Sequence, residues 1–329
     1  MTSVEVTTGS RLHFGLLCGA PDSGWHYGGI GLMIDQPAWH LRVSLADNPD
    51  DRVDASPPVQ QRLKKLLVDF RRAHRDLPQV RIATISEVGF HSGLGSGTQL
   101  TLAAGTALLL LSGRKRPANI ADLAANLGRS RRSSIGTFGF DRGGFVVDHG
   151  KSADGQQLPL ERHAFPEDWR MVLVTPQKSE GLSGTTEETF FDRERFLDAT
   201  TVATVQSLIE QQITPSIRDH NFDNFRNGLA AYGNLVGEYY APAQGGIYSS
   251  TAIRDLVSWL KPHGVDSVVQ SSWGPTVCIP ASNPEHAESV ISTIRRYPTA
   301  TSLDLRIAAS LNTGATVRSV APEHQRSFG

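Results

Sequence analysis

The first half of the chain alternates between the apolar spacing of strands and that of helices. Val4 and Val6 alternate with polar residues, and the apolar residues of 41–45 do so more regularly, which predicts half-buried strands. Between them, residues 22–31 are rich in glycine and aromatic residues and are predicted to form a loop. Further strands are predicted at 80–85 and 145–147.

Three helices are expected in the same half. In residues 59–74 the apolar side chains recur on one helical face, and Arg and Lys residues occupy the other. A solvated amphipathic helix explains this pattern better than a nucleic-acid-binding surface does. A long apolar helix is predicted at 98–111. A second helix is predicted at 119–127 and is followed by Gly128, a residue that often ends helices.

The second half carries a β-α-β-β-α-β order of elements. Its first strand is predicted at 171–174, with helical stretches at 199–212 and 222–240 inserted after it. The remaining elements are a helix at 251–260, strands at 265–270 and 276–279, a helix at 285–296 and a strand at 302–307. This order is the split βαβ pattern. We therefore expect an α+β protein with a boundary near residue 165, giving domains of residues 1–165 and 166–329.

Composition limits the classes of function. With 32 basic and 33 acidic residues, the net charge of −1 argues against nucleic-acid binding through a broad positive field, so any anion site must be local. The two cysteines, Cys18 and Cys278, lie outside any CxxC spacing and are too few for a thiolate zinc site. We find no signal peptide and no apolar run long enough to span a bilayer, and we expect a cytoplasmic protein.

The most informative segment is Gly-Phe-His-Ser-Gly-Leu-Gly-Ser-Gly-Thr-Gln at residues 89–99, between a strand and an apolar helix. Glycines allow a tight turn, and the unpaired N–H groups of a helix N-terminus bind phosphate. Ser96 and Thr98 add hydroxyl groups that can bind phosphate oxygens or a Mg²⁺ ion held by them.

Two familiar phosphate motifs do not fit this segment. The glycines give GxGxG without an acidic residue about 20 positions later, unlike the dinucleotide-binding motif, and no Lys-Ser or Lys-Thr pair follows, unlike Walker A. The alternative to a phosphate site is a glycine-rich turn with an ordinary helix cap.

Residues 93–96, Gly-Leu-Gly-Ser, followed by small residues, resemble the phosphate loop of the GHMP kinases, such as galactokinase and the homoserine and mevalonate kinases. The chain more closely resembles the β-ribofuranosylaminobenzene 5′-phosphate synthase family. The segments that carry this resemblance are 10–16, 91–99, 128–137, 143–148, 181–184 with Glu187 and, more weakly, 270–275. The resemblance implies a GHMP-kinase-like two-domain fold, in which an N-terminal α/β domain holds the phosphate loop and a C-terminal domain is ferredoxin-like.

Two chemical groups of the GHMP kinases are missing. The resemblance places the catalytic aspartate of the kinases at Gly136 and their N-terminal lysine at Ser10. It therefore implies a changed reaction on the same scaffold: transfer of ribose 5-phosphate from phosphoribosyl pyrophosphate to 4-aminobenzoate or 4-hydroxybenzoate, with release of CO₂ and pyrophosphate, in methanopterin biosynthesis. Two alternatives are a GHMP-type small-molecule kinase with a relocated base and a non-catalytic sensor of a phosphate ligand.

The sequence does not decide whether the para substituent of the acceptor is an amino or a hydroxyl group. The resemblance also implies Mg²⁺ bound through the pyrophosphate, no organic cofactor, no nucleic-acid or membrane partner, and a homodimer. The strand with two acids and a Thr-Gly loop that many phosphoribosyltransferases use for this donor is absent, so the donor is assigned by resemblance alone.

Candidate site residues fall into four groups. The catalytic candidates are Arg11, His13, His91 and Arg132. The candidates for phosphate or pyrophosphate are Ser92, Gly93, Leu94, Gly95, Ser96, Gly97, Thr98, Gln99, Arg129 and Arg131. Trp25, Tyr27 and Trp273 are candidates for stacking on the aromatic substrate, and Ser96 and Asp141 for contacting Mg²⁺. For His13 a structural role, for the arginines a basic surface loop, and for the aromatic residues packing under a loop are the alternatives.

Overall fold

A computed structural model describes residues 3–19, 26–130, 132–152, 154–177 and 196–320, and its strands belong to two sheets. The strands are β1 (Ser3–His13), β2 (Leu17–Cys18), β3 (His26–Leu45), β4 (Arg52–Asp54), β5 (Val80–Ser86), β6 (Phe145–Asp148), β7 (Leu160–His163), β8 (Arg170–Pro176), β9 (Val269–Gln270), β10 (Val277–Ala281), β11 (Leu303–Ala309) and β12 (Thr316–Val320). The α-helices are α1 (Pro57–Ala73), α2 (Ser96–Leu111), α3 (Ile120–Asn126), α4 (Ile135–Arg142), α5 (Ala199–Ser207), α6 (Thr214–Arg218), α7 (Phe222–Gln244), α8 (Thr251–Leu260) and α9 (Pro284–Arg295).

The first sheet is built around the long strand β3. Its strand order is β12-β1-β3-β5-β4, and β6 pairs with another part of β3 and carries β7 on its far side. Strands β1 and β3 are antiparallel, with Val6 opposite Leu41 and Arg11 opposite Met33. Helix α2 packs on β1 and β3 and is buried on almost every side, which explains why its sequence is apolar all round. The sheet therefore holds the start of α2 close to the end of β1.

The predicted loop at 22–31 is wrong for residues 26–31, which form the first part of β3. Glycine serves close packing here. A Cβ atom at Gly29 would lie 2.0 Å from the Gly15 carbonyl oxygen, and one at Gly31 would lie 2.6 Å from the Leu12 carbonyl oxygen. The glycines thus let β3 approach the chain around the end of β1 closely, and they do not mark a turn.

The second sheet confirms the predicted split βαβ order. Its strands run β11-β8-β10-β9, and every neighbouring pair is antiparallel. Helices α8 and α9 form a separate apolar core against it, with Ile253, Val277 and Ile291 among the buried residues. The strand predicted at 265–270 is the exception, because only Val269–Gln270 pairs with β10.

Two elements connect the halves of the chain. Strand β12 returns from the second sheet to pair with β1, with Val317 opposite Val6. Helix α7 places Phe225 and Tyr232 in the same apolar core as β1, β3 and β6. The chain enters the second sheet at β8, which begins at Arg170, but the division into domains of 1–165 and 166–329 stays a prediction.

Helix α4 was not predicted, since its sequence, Ile-Gly-Thr-Phe-Gly-Phe-Asp-Arg, lies in a segment dense in glycine and arginine. The buried Asp148 carboxylate stabilises its start by accepting hydrogen bonds from the backbone N–H groups of Ser134 (2.8 Å) and Gly150 (2.9 Å). Asp148 lies 14 residues after Ser134 and beyond the end of the helix, so the sequence of α4 itself does not reveal this contact. No helix in the described ranges is both long enough and apolar enough to cross a membrane.

The close packing of β3 is testable with two alanine substitutions. Gly29→Ala should lower the free energy of unfolding by roughly 2–3 kcal/mol, because the new methyl group meets the Gly15 carbonyl oxygen. Gly89→Ala is the matched control, since a Cβ atom there meets nothing within 4 Å, and it should change stability by less than about 0.5 kcal/mol. Urea denaturation followed by circular dichroism measures both. Equal stability of Gly29→Ala and the unsubstituted protein would contradict the close packing.

Candidate functional site

A cavity of about 740 Å³ opens where the glycine-rich start of α2 meets the turn after β9. It brings together most of the predicted site residues from both halves of the chain. The residues that line it are Arg11, His13, Leu16, Arg62, Phe90, His91, Gly93, Leu94, Gly95, Ser96, Gly97, Thr98, Gly128, Arg129, Ser130, Arg132, Ser133, Tyr240, Ser272, Trp273 and Gly274.

The glycine-rich loop turns through left-handed backbone conformations. His91, Gly93 and Gly95 have φ values of 58°, 81° and 67°. Gly95 is the N-cap of α2, and no side chain caps the helix. Residues 95–98 all line the cavity, so the positive end of the α2 dipole faces it. This is the arrangement that binds phosphate groups at helix N-termini.

A buried serine fixes the loop against the second half of the chain. The Ser271 hydroxyl donates to the Gly93 carbonyl oxygen (2.8 Å) and accepts from the His13 backbone N–H (3.1 Å). The backbone N–H of Ser272 donates to the His13 carbonyl oxygen at 2.6 Å. A Cβ atom at Gly93 would lie 2.3 Å from the Ser271 carbonyl oxygen, so the approach requires glycine.

Two guanidinium groups flank the start of α2. A Cβ atom at Gly97 would lie 2.5 Å from Arg62 Nη1 and 3.9 Å from Arg129 Nη2. Arg62 lies over the Phe90 ring, with Cζ 4.3 Å from the centroid, and Arg129 donates to the Thr101 hydroxyl at 3.0 Å. Burial lowers the pKa of both arginines below the usual value, and the nearby Arg62 charge adds to the effect on Arg129.

No aspartate or glutamate is among the described residues that line the cavity, whereas four arginines are. Within the described ranges, no carboxylate lies within ion-pair distance of Arg62 or Arg129. Two neighbouring cations without an acidic partner repel each other, and a ligand with two or more negative charges relieves that repulsion. The cavity is therefore suited to a multiply charged anion.

His13 contributes the opposite chemistry, a neutral base. It is 4% exposed, and burial holds the pKa of its ring well below the ordinary value, with the nearby Arg11 lowering it further. A hydrogen bond with the Gly15 backbone opposes these effects by raising the pKa, so the ring is the donor in that bond. Because Nε2 is buried and has no hydrogen-bond partner, the donor is Nδ1, and Nε2 carries the free lone pair.

One wall of the cavity is apolar. The Tyr240 hydroxyl donates to the Leu16 carbonyl oxygen (2.8 Å) and accepts from the Leu16 N–H (3.0 Å). The Tyr240 ring stacks on Trp273, with ring centroids 4.1 Å apart and an interplanar angle of 18°. Trp273 is thus packed against a neighbour and also lines the cavity. An aromatic ligand can lie against this wall.

Several predicted residues lie elsewhere. Gln99 is buried and bridges two segments, accepting from the Thr8 hydroxyl (2.7 Å) and donating to the Gly136 carbonyl oxygen (2.8 Å), so its side chain has a structural role and does not bind phosphate. Asp141 does not contact the cavity, because it forms ion pairs with Arg116 and Arg142, and it is a poor candidate for Mg²⁺.

Two more side chains lie away from the cavity wall, and two candidates cannot be placed. The Ser92 hydroxyl donates to the Gly89 carbonyl oxygen at 3.0 Å, which stabilises the loop itself. Tyr27 is half-buried near the start of β3 and does not line the cavity. Trp25 and Arg131 lie outside the described residues, as does the motif at 181–187.

The two positions at which the resemblance places the lysine and the aspartate of the kinases differ in their surroundings. Ser10 is fully buried, and its hydroxyl donates to the Pro37 carbonyl oxygen at 2.6 Å. Gly136, on α4, faces the site: a Cβ atom there would lie 3.5 Å from Thr98 Cγ2 and 3.6 Å from Arg11 Cδ. The place where the resemblance puts an aspartate is thus beside the phosphate loop, and it carries no side chain.

Arg62 was missed at the sequence level. It lies on the basic face of α1, which was predicted to be solvated. Its neighbours Lys64 and Lys65 are indeed exposed, whereas Arg62 is half-buried. Only the approach of α1 to Phe90 and the start of α2 distinguishes Arg62 from them. No local sequence signal separates these residues.

Comparison with known families places the scaffold. A model of the N-terminal domain of GHMP kinases matches residues 61–141, and a model of their C-terminal domain matches residues 213–299, together just over half of the chain. The chain belongs to the GHMP kinase family. The family resemblance inferred from the phosphate loop is confirmed.

Curated relatives refine this result. β-Ribofuranosylphenol 5′-phosphate synthase of Methanothermobacter thermautotrophicus is 28% identical to this chain and aligns with 83% of it and 87% of the relative. The protein of the same name from Methanocaldococcus jannaschii is 26% identical and aligns with 83% of this chain and 88% of its own length. The resemblance to the synthase family is therefore confirmed as well.

Solved structures support the fold. Mevalonate diphosphate decarboxylase from Staphylococcus aureus has a TM-score of 0.66 with 16% identity, covering 97% of this chain and 98% of that chain. Mevalonate-3-kinase from Thermoplasma acidophilum has a TM-score of 0.64 with 15% identity, covering 97% and 99%. At these identities the likeness concerns the fold alone.

The role of Arg62 in binding anions is testable with pyrophosphate. Arg62→Gln should weaken pyrophosphate binding roughly ten- to hundredfold, because a charge-assisted hydrogen bond at the start of α2 is lost. Lys64→Gln, on the exposed face of the same helix, is the matched control and should change the Kd by less than about twofold. Isothermal titration calorimetry at low salt measures both. Equal weakening by the two substitutions would point to a diffuse charge effect and contradict a local site.

Proposed function

We propose that this protein is a decarboxylating phosphoribosyl-type transferase. It joins ribose 5-phosphate, taken from phosphoribosyl pyrophosphate, to the ring carbon of 4-hydroxybenzoate or 4-aminobenzoate, and it releases CO₂ and pyrophosphate. The observation that carries the proposal is the cavity itself, where four arginines and the open start of α2 meet an apolar aromatic wall and no described lining residue is acidic. The name of the curated relatives, β-ribofuranosylphenol 5′-phosphate synthase, agrees with it.

The absence of a carboxylate from the described cavity wall distinguishes this reaction from phosphoryl transfer to an alcohol. A kinase of this scaffold activates a hydroxyl group with a base, which the resemblance places at position 136, where this chain has glycine. Attack by an aromatic ring carbon requires no carboxylate at this position to deprotonate an alcohol, because the ring supplies the electron pair and CO₂ leaves from the attacking carbon in place of a proton. The missing aspartate therefore obstructs the kinase reaction and is no obstacle to the proposed one.

The two sides of the cavity suit the two substrates. The pyrophosphate lies at residues 95–98, where Arg62 and Arg129 stabilise the negative charge that develops as the C1–O bond breaks. The benzoate ring lies against Leu16, Tyr240 and Trp273, which exclude water from the sugar carbon. This placement brings the ring carbon and the sugar carbon together in one cavity.

The described residues do not fit a divalent cation held by the protein alone. None of those lining the cavity is a carboxylate, and the described ranges contain no group of three metal-ligating side chains. Mg²⁺ would accompany the pyrophosphate, with Ser96, which lines the cavity, as the candidate protein contact. We assign no chemical step to the metal.

We further propose that the protein acts in the cytoplasm as a homodimer on small molecules.

The proposal predicts decarboxylation that depends on phosphoribosyl pyrophosphate and not on ATP. Incubation of the full chain with Mg²⁺, phosphoribosyl pyrophosphate and carboxyl-labelled 4-hydroxybenzoate or 4-aminobenzoate should release labelled CO₂ and pyrophosphate in equal amounts. The same benzoate labelled in the ring is the control and should release no volatile label. Which of the two benzoates reacts identifies the para substituent.

Two outcomes would favour the other functions. Turnover of ATP stimulated by a small alcohol would indicate a GHMP-type kinase with a relocated base. Tight binding of phosphate ligands without turnover of either substrate pair would indicate a sensor. Either result would overturn the proposed transferase.

A further inference from the structure

One buried side-chain nitrogen, in a residue that lines the cavity, is held in place and has no hydrogen-bond partner. His13 ends β1, and its backbone is fixed on both sides: its N–H donates to the Ser271 hydroxyl and its carbonyl oxygen accepts from the Ser272 N–H. Its ring is bound to the Gly15 backbone and is almost fully buried. The ring is therefore held in place, its Nε2 is buried without a partner, and His13 is among the residues that line the cavity.

An unpartnered buried acceptor is unfavourable by itself. Leaving such an atom without a hydrogen bond destabilises the protein, and a donor group on a ligand removes this cost. The arginines of the cavity can only donate hydrogen bonds, and the serine and threonine hydroxyl groups are far weaker bases than imidazole. The other histidine of the cavity, His91, is exposed. His13 is therefore the buried base among the described lining residues.

The surroundings of His13 indicate which ligand carries the donor. Leu16 follows three residues later, and Trp273 follows Ser272, which is bonded to the His13 backbone. Both belong to the apolar wall that the stacked Tyr240 and Trp273 rings form. In the proposed reaction the ligand beside this wall is the aromatic substrate, which we therefore take as the source of the donor. In the proposed reaction that ring carries a hydroxyl or amino group para to its carboxylate.

We propose that His13 Nε2 accepts a hydrogen bond from the para hydroxyl of the benzoate, and takes its proton as the ring attacks the sugar. This inference rests on the proposed function and assigns the catalytic base of that reaction. It also names the hydroxyl-bearing benzoate as the acceptor that His13 assists most.

The step balances as follows. The oxygen lone pair of the para hydroxyl moves into the ring, and the ring carbon that bears the carboxylate forms a bond to C1 of the ribose. The C1–O bond breaks with its electron pair leaving on pyrophosphate, and the hydroxyl proton passes to Nε2. CO₂ then leaves, its bonding pair restores the aromatic ring, and the oxygen regains the proton from His13.

The weak basicity of this histidine suits the step. A ground-state phenol is less acidic than a buried imidazolium with a lowered pKa, so the resting contact is a hydrogen bond. As the ring carbon attacks, positive charge reaches the phenol oxygen, and its proton becomes acidic enough for a weak base to accept. The low pKa of His13 thus keeps the ring neutral beside Arg11 until the proton is needed.

Two substitutions separate binding from proton transfer. His13→Asn keeps an amide near Nδ1 for the Gly15 bond but has no atom at Nε2. His13→Gln places a non-basic amide near Nε2. His13→Asn should weaken binding of 4-hydroxybenzoate about tenfold while leaving binding of unsubstituted benzoate within about twofold. His13→Gln should retain affinity for 4-hydroxybenzoate within about threefold but lower kcat roughly a hundredfold.

The matched control is His263→Gln, because His263 is exposed and lies outside the cavity, and both constants should stay unchanged. Calorimetry gives the affinities, release of labelled CO₂ gives kcat, and circular dichroism verifies folding. Full activity of folded His13→Gln would overturn the assignment. So would equal weakening of both benzoates by His13→Asn, which is the result of a merely structural role.

The outcomes also separate this inference from the proposed function. If the unsubstituted protein and His13→Gln release CO₂ at the same rate, the role of His13 is contradicted and the proposed transferase is not. If the unsubstituted protein releases no CO₂ but His13→Asn selectively weakens binding of 4-hydroxybenzoate, the contact of His13 with the ligand is supported and the proposed transferase is contradicted. Failure of the unsubstituted protein to bind 4-hydroxybenzoate would overturn both.

Discussion

The site depends on one buried hydroxyl group. Ser271 is fully buried, and its side chain links the backbone of His13 at the end of β1 to that of Gly93 in the glycine-rich loop. These three segments are separated by up to 258 residues in sequence, and the cavity exists where they meet. The same contact orients the loop toward α2 and fixes the backbone that carries the His13 ring, so the anion site and the base are set by a single junction.

Elements with strong local patterns were predictable. The apolar stripe of α1, the order of strands and helices in the second sheet, and the glycine-rich start of α2 follow from periodicity and turn chemistry. The first residues of β3 were mistaken for a loop because glycine allows both a turn and a close strand contact, and only the neighbouring Gly15 carbonyl oxygen decides between them. The start of α4 rests on Asp148 and was not visible locally.

The kinds of residue in the site were predictable from the sequence, but which individual residues line the cavity was less so. The sequence identified Arg11, His13, Arg129 and Arg132 as candidates, which line the cavity, but also Gln99 and Asp141, which form internal contacts. Arg62 carried no motif, because its importance comes from the packing of α1 against Phe90. Spacing along one segment predicts a phosphate loop, whereas charges brought from other elements become visible only in three dimensions.

The scaffold and the chemistry separate in this protein. The fold is that of the GHMP kinases, yet the position beside the loop that the resemblance assigns to a catalytic aspartate is Gly136, and the buried base among the described lining residues is a histidine, His13. A phosphate-binding site that serves phosphoryl transfer in kinases also suits a departing pyrophosphate, because both reactions require preorganised positive charge. The central claim is therefore that the bond broken in the donor is the bond to carbon.

The most direct measurement of this claim uses phosphoribosyl pyrophosphate that carries oxygen-18 in the oxygen joining C1 to the pyrophosphate. Mass spectrometry of the products after reaction with 4-hydroxybenzoate or 4-aminobenzoate shows which bond broke. The label should appear in the released pyrophosphate, since C–O cleavage leaves the bridging oxygen on phosphorus. Label retained on the ribose would mean P–O cleavage, and it would contradict the account.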